Sequence, residues 1–267
     1  MKPTLQPKVT PGALLNRRSF LQTTALATAG LMLAPASHGA EASFPVVRIP
    51  ESQRKFKSAV VERTIQRLRS CIANPELGWM FENCFPNTLD TTVEFVMSQG
   101  RPDTYVITGD IDAMWLRDSS AQVWPYLPLM RSEPALQQLI AGVINRQTAC
   151  ILKDPYANAF LPDPTSKKPL SWAVDDLTDM RPGVAERKWE VDSLCYCIRL
   201  AHGYWKATGD TAPFDKEWTQ AMRLVVATFA NSSENKGRGR IILGGARKCL
   251  RTRWHLEGTA IQRGRWG

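Results

Sequence analysis

Over residues 53–73 apolar side chains fall at Phe56, Val60, Val61, Ile65, Leu68 and Ile72. Steps of three and four predict an amphipathic helix, and Asn74-Pro75 predicts its end. A polar loop is expected around ENCFPNTLDTT, then two short strand-like runs at 93–97 and 104–108. Residues 133–152 predict a second long helix, with Leu136, Leu139, Ile140, Val143 and Ile144 on one side. The stretch 153–187 holds five prolines and several acids and reads as loop. Periodicity returns over 188–208 (Val191, Leu194, Cys195, Ile198, Ala201) until Gly209-Asp210, and a last helix is expected from Asp215 to about Ala230. Long helices joined by loops, with scraps of strand, predict an all-α fold whose helices each bury a stripe and pack in layers or rings.

Both ends of the chain depart from this pattern. The N-terminus places Arg17-Arg18 before Phe20-Leu21, then an uncharged Ala/Leu/Thr-rich run to about Ala36. Small residues at Ala34-Pro35-Ala36 and Ala40-Glu41-Ala42 offer cleavage sites. This layout predicts an export signal over 1–42, of the twin-arginine type. The run is short for a membrane span of about 20 residues, so no stable span is expected after cleavage. A C-terminal stretch, 236–267, has many glycines, scattered arginines and no sustained period. It is expected to be disordered or out of frame. Residues 43–235 then form the globular body.

Charge changes the picture less than its total suggests. The net +9 of 267 residues looks like a nucleic-acid signature. Nine basic residues against Glu257 give 236–267 a charge of +8, and the first 42 residues carry +3. The body is left at −2, which removes the argument for a polyanionic partner. The six cysteines, at 71, 84, 150, 195, 197 and 249, lack zinc-like pairing. Cys195 and Cys197 face different ways on a helix, and buried free thiols are expected. No Gly-rich phosphate loop occurs at a strand-to-helix turn.

Candidate chemistry concentrates in GDIDAMWLRDS, where Asp110, Asp112 and Asp118 flank Trp115 and Arg117. Alternate carboxylates suggest a calcium loop, but Trp115 and Ala121 stand where glycine and the closing glutamate belong. Helix capping by Asp118 or Ser119 explains part of the segment. Two arrangements fit the rest: a structural ion-pair cluster, or a wall that grips a sugar. Sugar hydroxyls take carboxylates and a guanidinium as partners, and a pyranose face takes an aromatic platform such as Trp115 or Trp124.

ITGDIDAMWLRDSSAQVWPYL (107–127) and KWEVDSLCYCIRL (188–200) resemble two signature segments of family 125 glycoside hydrolases, the metal-independent exo-acting α-mannosidases. The resemblance runs from about Pro45 to about Ala230. It implies an (α/α)6 barrel, incomplete in this chain, that removes terminal α-1,6-linked mannose with inversion and needs no cofactor or metal. By the resemblance Asp192 is the general acid, and Asp110, Asp112, Trp115, Arg117 and Asp118 hold the sugar. The family has proline where this chain has Cys197.

A general acid must hold its proton near neutral pH. A helix start favours the charged form of Asp192, so burial beside Trp189 and Tyr196, with repulsion from Glu190, is expected to oppose it. Inversion also needs a second carboxylate about 6.5–9.5 Å away. The resemblance makes it a glutamate late in the barrel, and no segment here matches it. The chain is therefore expected to be a truncated or frame-shifted copy, with a non-catalytic glycan-binding remnant as the alternative.

Overall fold

The computed structural model describes residues 44–234. The export-signal and basic-tail expectations lie outside them. Two units divide between Pro45 and Val46, and the second carries all the elements below.

Ser58 starts helix α1 (Ala59–Cys71): its hydroxyl oxygen accepts the Val61 N–H, filling one of the helix's orphan donors. Phe56 precedes this helix and packs against the core from outside it. Helix α2 (Pro75–Cys84), not foreseen from the sequence, follows at once and takes in the start of the loop expected around ENCFPNTLDTT, whose end, Thr88–Thr92, forms a π-helical turn. Asn74 accepts from the N–H groups of Glu76 and Leu77, and Pro75 takes the first helical position, where no donor is needed. The dipeptide that ends one helix thus begins the next.

The two strand-like runs form a hairpin, β1 (Val93–Ser98) and β2 (Arg101–Val106), paired from Val93↔Val106 to Ser98↔Arg101. Helix α3 (Leu116–Val123) leads into a 3-10 helix, Trp124–Ser132. Helix α4 (Pro134–Lys153) crosses β2 closely. A Cβ on Gly142 would lie 2.3 Å from Thr104 Oγ1, so this crossing requires glycine. Helix α5 (Val191–Thr208) ends on Gly209, whose φ of 73° is the left-handed cap that glycine adopts without strain. Helix α6 spans Lys216–Glu234.

The supposed loop 153–187 also carries two short strands, β4 (Ala159–Phe160) and β5 (Val184–Glu186). With β3 (Met114–Trp115) they make an antiparallel sheet in the order β3-β4-β5. Strands this short hide in a sequence because two or three residues show no alternation.

One core cluster joins α1, the hairpin, α4 and the inner side of α5, through residues such as Ile65, Val106, Leu139, Leu200 and Tyr204. A second gathers Leu116, Ile151, Phe160, Leu194 and Val225 beneath the starts of α3 and α5. Burying one such side chain is worth about 1.5–3 kcal/mol. Cys197 sits in this second core, its thiol donating to the Ser193 carbonyl at 3.4 Å in an unbroken helix. Cys150 is buried too, and burial pushes its thiol up to about 12. Cys71, Cys84 and Cys195 are free but exposed, contrary to expectation; Cys249 lies outside the described residues. Among the described residues no helix is long and apolar enough to cross a membrane.

Candidate active site

The small sheet delivers two helix starts to one place. Strand β3 passes directly into α3, so Arg117 and Asp118 stand in that helix's first turn. Strand β5 runs through Arg187 to Glu190 into α5, which puts Asp192 in its first turn. Helices α3 and α5 pack against each other. Arg117 Nη1 donates to Asp192 Oδ2 at 3.0 Å and lies 3.8 Å from Glu190 Oε2, while its Nε is 3.5 Å from Asp118 Oδ2. One guanidinium therefore faces three carboxylates. The bond to Asp192, above all, raises Arg117 further above its ordinary value. Asp118 Oδ2 is shielded from solvent and accepts no hydrogen bond, although the side chain as a whole is one-third exposed.

Several expectations change here. Capping by Asp118 or Ser119 is absent: Trp115 occupies the cap position, and Ser119 donates back to the Leu116 carbonyl. Asp192 is 43% exposed rather than buried. Trp189 turns instead toward Tyr156 and Phe229, and Tyr196 lies beside Arg199. Trp124 is not an open platform, because the Arg199 guanidinium covers its ring at 3.9 Å. Trp115 is half-buried beside the small alanine core of the β3-β4-β5 sheet. Asp110 and Asp112 are exposed, the first in the turn closed by the Thr108↔Ile111 bridge and the second just after it, and neither makes an ion pair or hydrogen bond with another described residue. The structure thus brings together Arg117, Asp118 and Asp192 with Glu190, and leaves Asp110 and Asp112 outside that contact.

The support beneath was not foreseen. Gln147 of α4, 2% exposed, donates to Ser119 Oγ (3.0 Å), Ser120 Oγ (2.8 Å) and the Leu116 carbonyl (3.3 Å), gripping the start of α3. Glu186 is buried and accepts from Asn158 Nδ2 (2.7 Å), Trp172 Nε1 (2.9 Å) and Lys188 Nζ (2.5 Å). Burial alone would raise its carboxyl, but these three bonds outweigh it and hold the group below its ordinary value. With its acceptors engaged, Glu186 is scaffold. Among the described residues no three His, Cys, Asp or Glu side chains group as metal ligands.

A family model described as metal-independent alpha-mannosidase (GH125) matches residues 74–240, more than half of the chain and all of this cluster. The chain belongs to glycoside hydrolase family 125. It is 38% identical over 196 residues to the meiotically up-regulated gene 157 protein of Schizosaccharomyces pombe (strain 972 / ATCC 24843), covering 71% of this chain and 38% of that one. A Streptococcus pneumoniae protein from a family of metal-independent alpha mannosidases, solved as a non-productive substrate complex with alpha-1,6-mannobiose, is 39% identical. It matches with a TM-score of 0.62 over 68% of this chain and 42% of its own. The mostly helical chain thus has the six-hairpin glycosidase, or (α/α)6, fold in part, and spans about two-fifths of these relatives' length.

Proposed function

We propose that this family 125 chain grips a terminal α-mannose of a glycan at the Arg117 cluster and presents Asp192 as the general acid of an inverting exo-α-1,6-mannosidase. The observation that carries the reading is the meeting of Arg117 and Asp192, at 3.0 Å, from two segments 75 residues apart inside the family match. The pneumococcal relative's bound alpha-1,6-mannobiose supports the choice of sugar. Arg117 offers donors to ring hydroxyls, Asp118 accepts from them, Trp115 flanks the sugar, and Asp110 and Asp112 reach it from the exposed turn. Once sugar hydroxyls have taken over the Arg117 donors, the freed Asp192 carboxylate takes up a proton from water and passes it to the leaving glycosidic oxygen. Among the described residues none is read as the water-activating base, and on this reading the chain holds α-mannosides and turns them over little or not at all. The arginine pair and apolar run of 1–42 support export, and R17K/R18K should then stop translocation of a fused reporter.

Calorimetric titration of the purified chain with α-1,6-mannobiose, alongside a mannose-release assay, tests this reading. Saturable binding that R117Q weakens at least tenfold, with at most trace hydrolysis that D192N removes, is expected. Absence of binding would overturn the gripping role. Robust hydrolysis would overturn the missing base, and hydrolysis undiminished in D192N would remove Asp192 from the chemistry.

A further inference from the structure

Asn158 is 1% exposed and lies on the short segment entering β4, remote in sequence from both partners of the Arg117–Asp192 pair. Each of its polar groups is used. Its backbone carbonyl accepts the Leu116 N–H at 3.0 Å, one residue before Arg117. Its backbone N–H donates to the Glu186 carbonyl at 3.3 Å. Its side-chain Nδ2 donates to Glu186 Oε2 at 2.7 Å, and Oδ1 accepts the Lys188 N–H at 3.1 Å, two residues before Glu190. A backbone N–H on one side and a carboxylate on the other fix which end of the amide is oxygen. A few residues upstream, Asp154 Oδ2 accepts Arg187 Nε at 2.6 Å, a second tie between the same two segments.

We propose that Asn158 is a positioning residue that sets the separation of Arg117 and Asp192, holding the start of α3 through Leu116 and the approach to α5 through Lys188 and Glu186. The inference rests on the reading of Asp192 as the acid. Asparagine suits the place because the site demands a donor and an acceptor from one short, buried side chain. Aspartate there would set two carboxylates against each other, and leucine would leave Glu186 Oε2 and the Lys188 N–H without partners, a costly state in a dry interior. Glu186 in turn is held by Trp172 and Lys188, so Asn158 is anchored on an element that does not yield.

The test reads the pair directly, without sugar, by NMR of the Arg117 guanidinium in the intact chain. The Arg117 Nη signals should be resolved by slowed rotation in the wild type and lost in D192N, which serves as the reference for a broken pair. N158D should lose them as D192N does. N158D/E186Q should restore them, because the glutamine amide can donate where asparagine's did while its carbonyl still accepts from Trp172 and Lys188. I65V, a core change on α1, should leave them in place. Should N158D fail to fold, E186Q carries the same test, since it sets donor against donor and should lose the signals. Retention of the signals in N158D or E186Q, failure of the double variant to restore them, or an equal loss in I65V overturns the proposal. Absence of mannobiose binding with an Asn158-dependent pair intact would defeat the functional reading alone.

Discussion

Gly142→Ala should destabilise the protein by about 2–4 kcal/mol, although alanine is the better helix former. In an exposed helix interior the exchange would gain about 0.5–1 kcal/mol. Here α4 lies so close to β2 that the new Cβ would sit 2.3 Å from Thr104 Oγ1, 2.9 Å from Thr104 N and 3.0 Å from the Asp103 carbonyl carbon. Thr104 is fully buried, and its hydroxyl donates to the Leu139 carbonyl at 2.7 Å. Turning that side chain aside would relieve the closest contact but break this bond in a dry site, costing about 1–3 kcal/mol. The two backbone contacts would remain, and separating helix from strand adds an overpacking cost of about 1–3 kcal/mol. Equilibrium unfolding in urea measures the sum. In the T104A background the substitution should cost only about 1–2 kcal/mol, because the hydroxyl contact is gone. A G142A protein as stable as the wild type would refute this reasoning, and with it the claim that β2 is clamped on α4 before it runs into the Asp110–Asp112 turn.

Acid should weaken the fold through three carboxyls held below their ordinary range. Glu62 is lowered by its hydrogen bond from Arg48, against burial; for Glu186 and Asp210 burial acts upward but hydrogen bonds outweigh it. A lowered folded value gives stability that is present above the unfolded carboxylate range of about 4–4.5 and lost as pH falls through the folded values. Melting temperature should therefore drop on acidification below about pH 4.5, and less steeply in E186Q; a flat profile down to about pH 3 would contradict the shifts. On α5 the two sides should respond differently. L200A, at a fully buried position, should cost about 2–5 kcal/mol. I198K and W205K, at positions 39% and 45% exposed, should each change urea stability by no more than about 0.5 kcal/mol, and a core-sized loss at either would place that face inside.

Much of the helical frame was legible because α1, α4, α5 and α6 each carry an apolar stripe long enough to show its period. The start of α1 shifted because a cap, not periodicity, sets it: Phe56 fits the α1 stripe yet lies outside the helix, since Ser58 caps it. Helix α2 was hidden by reading Asn74-Pro75 as an end alone. The chemistry was half legible. Arg117, Asp118 and Asp192 stand out as charges among aromatic neighbours, and the structure joins them. That Trp124 is covered by Arg199, or that Asp192 is exposed, depends on packing between distant segments. Asn158, Gln147 and Glu186 gave no signal at all, because a buried amide or carboxylate looks like any loop residue until its partners are known.

The site's charge balance explains why its acids stay outside and its amides lie within. Three carboxylates around one guanidinium carry a formal excess of two negative charges, which a buried site would have to neutralise. The starts of α3 and α5 each bring a partial positive charge of roughly one half from the helix dipole, which reduces the excess to about one. Exposure of 34–43% lets water screen the remainder, so the cluster stands without further cations. Screening also leaves each ion pair too weak to fix geometry by itself, worth only about 0–1 kcal/mol. Rigidity must then come from below, where Asn158 and Gln147 are almost fully buried and hydrogen-bond the backbone at and just before the helix starts. In such a dry environment each bond is harder to replace, because breaking it strands a polar group away from water. Exposed charges set on buried, hydrogen-bonded amides form an arrangement in which the charges can rearrange without loosening the frame that holds them.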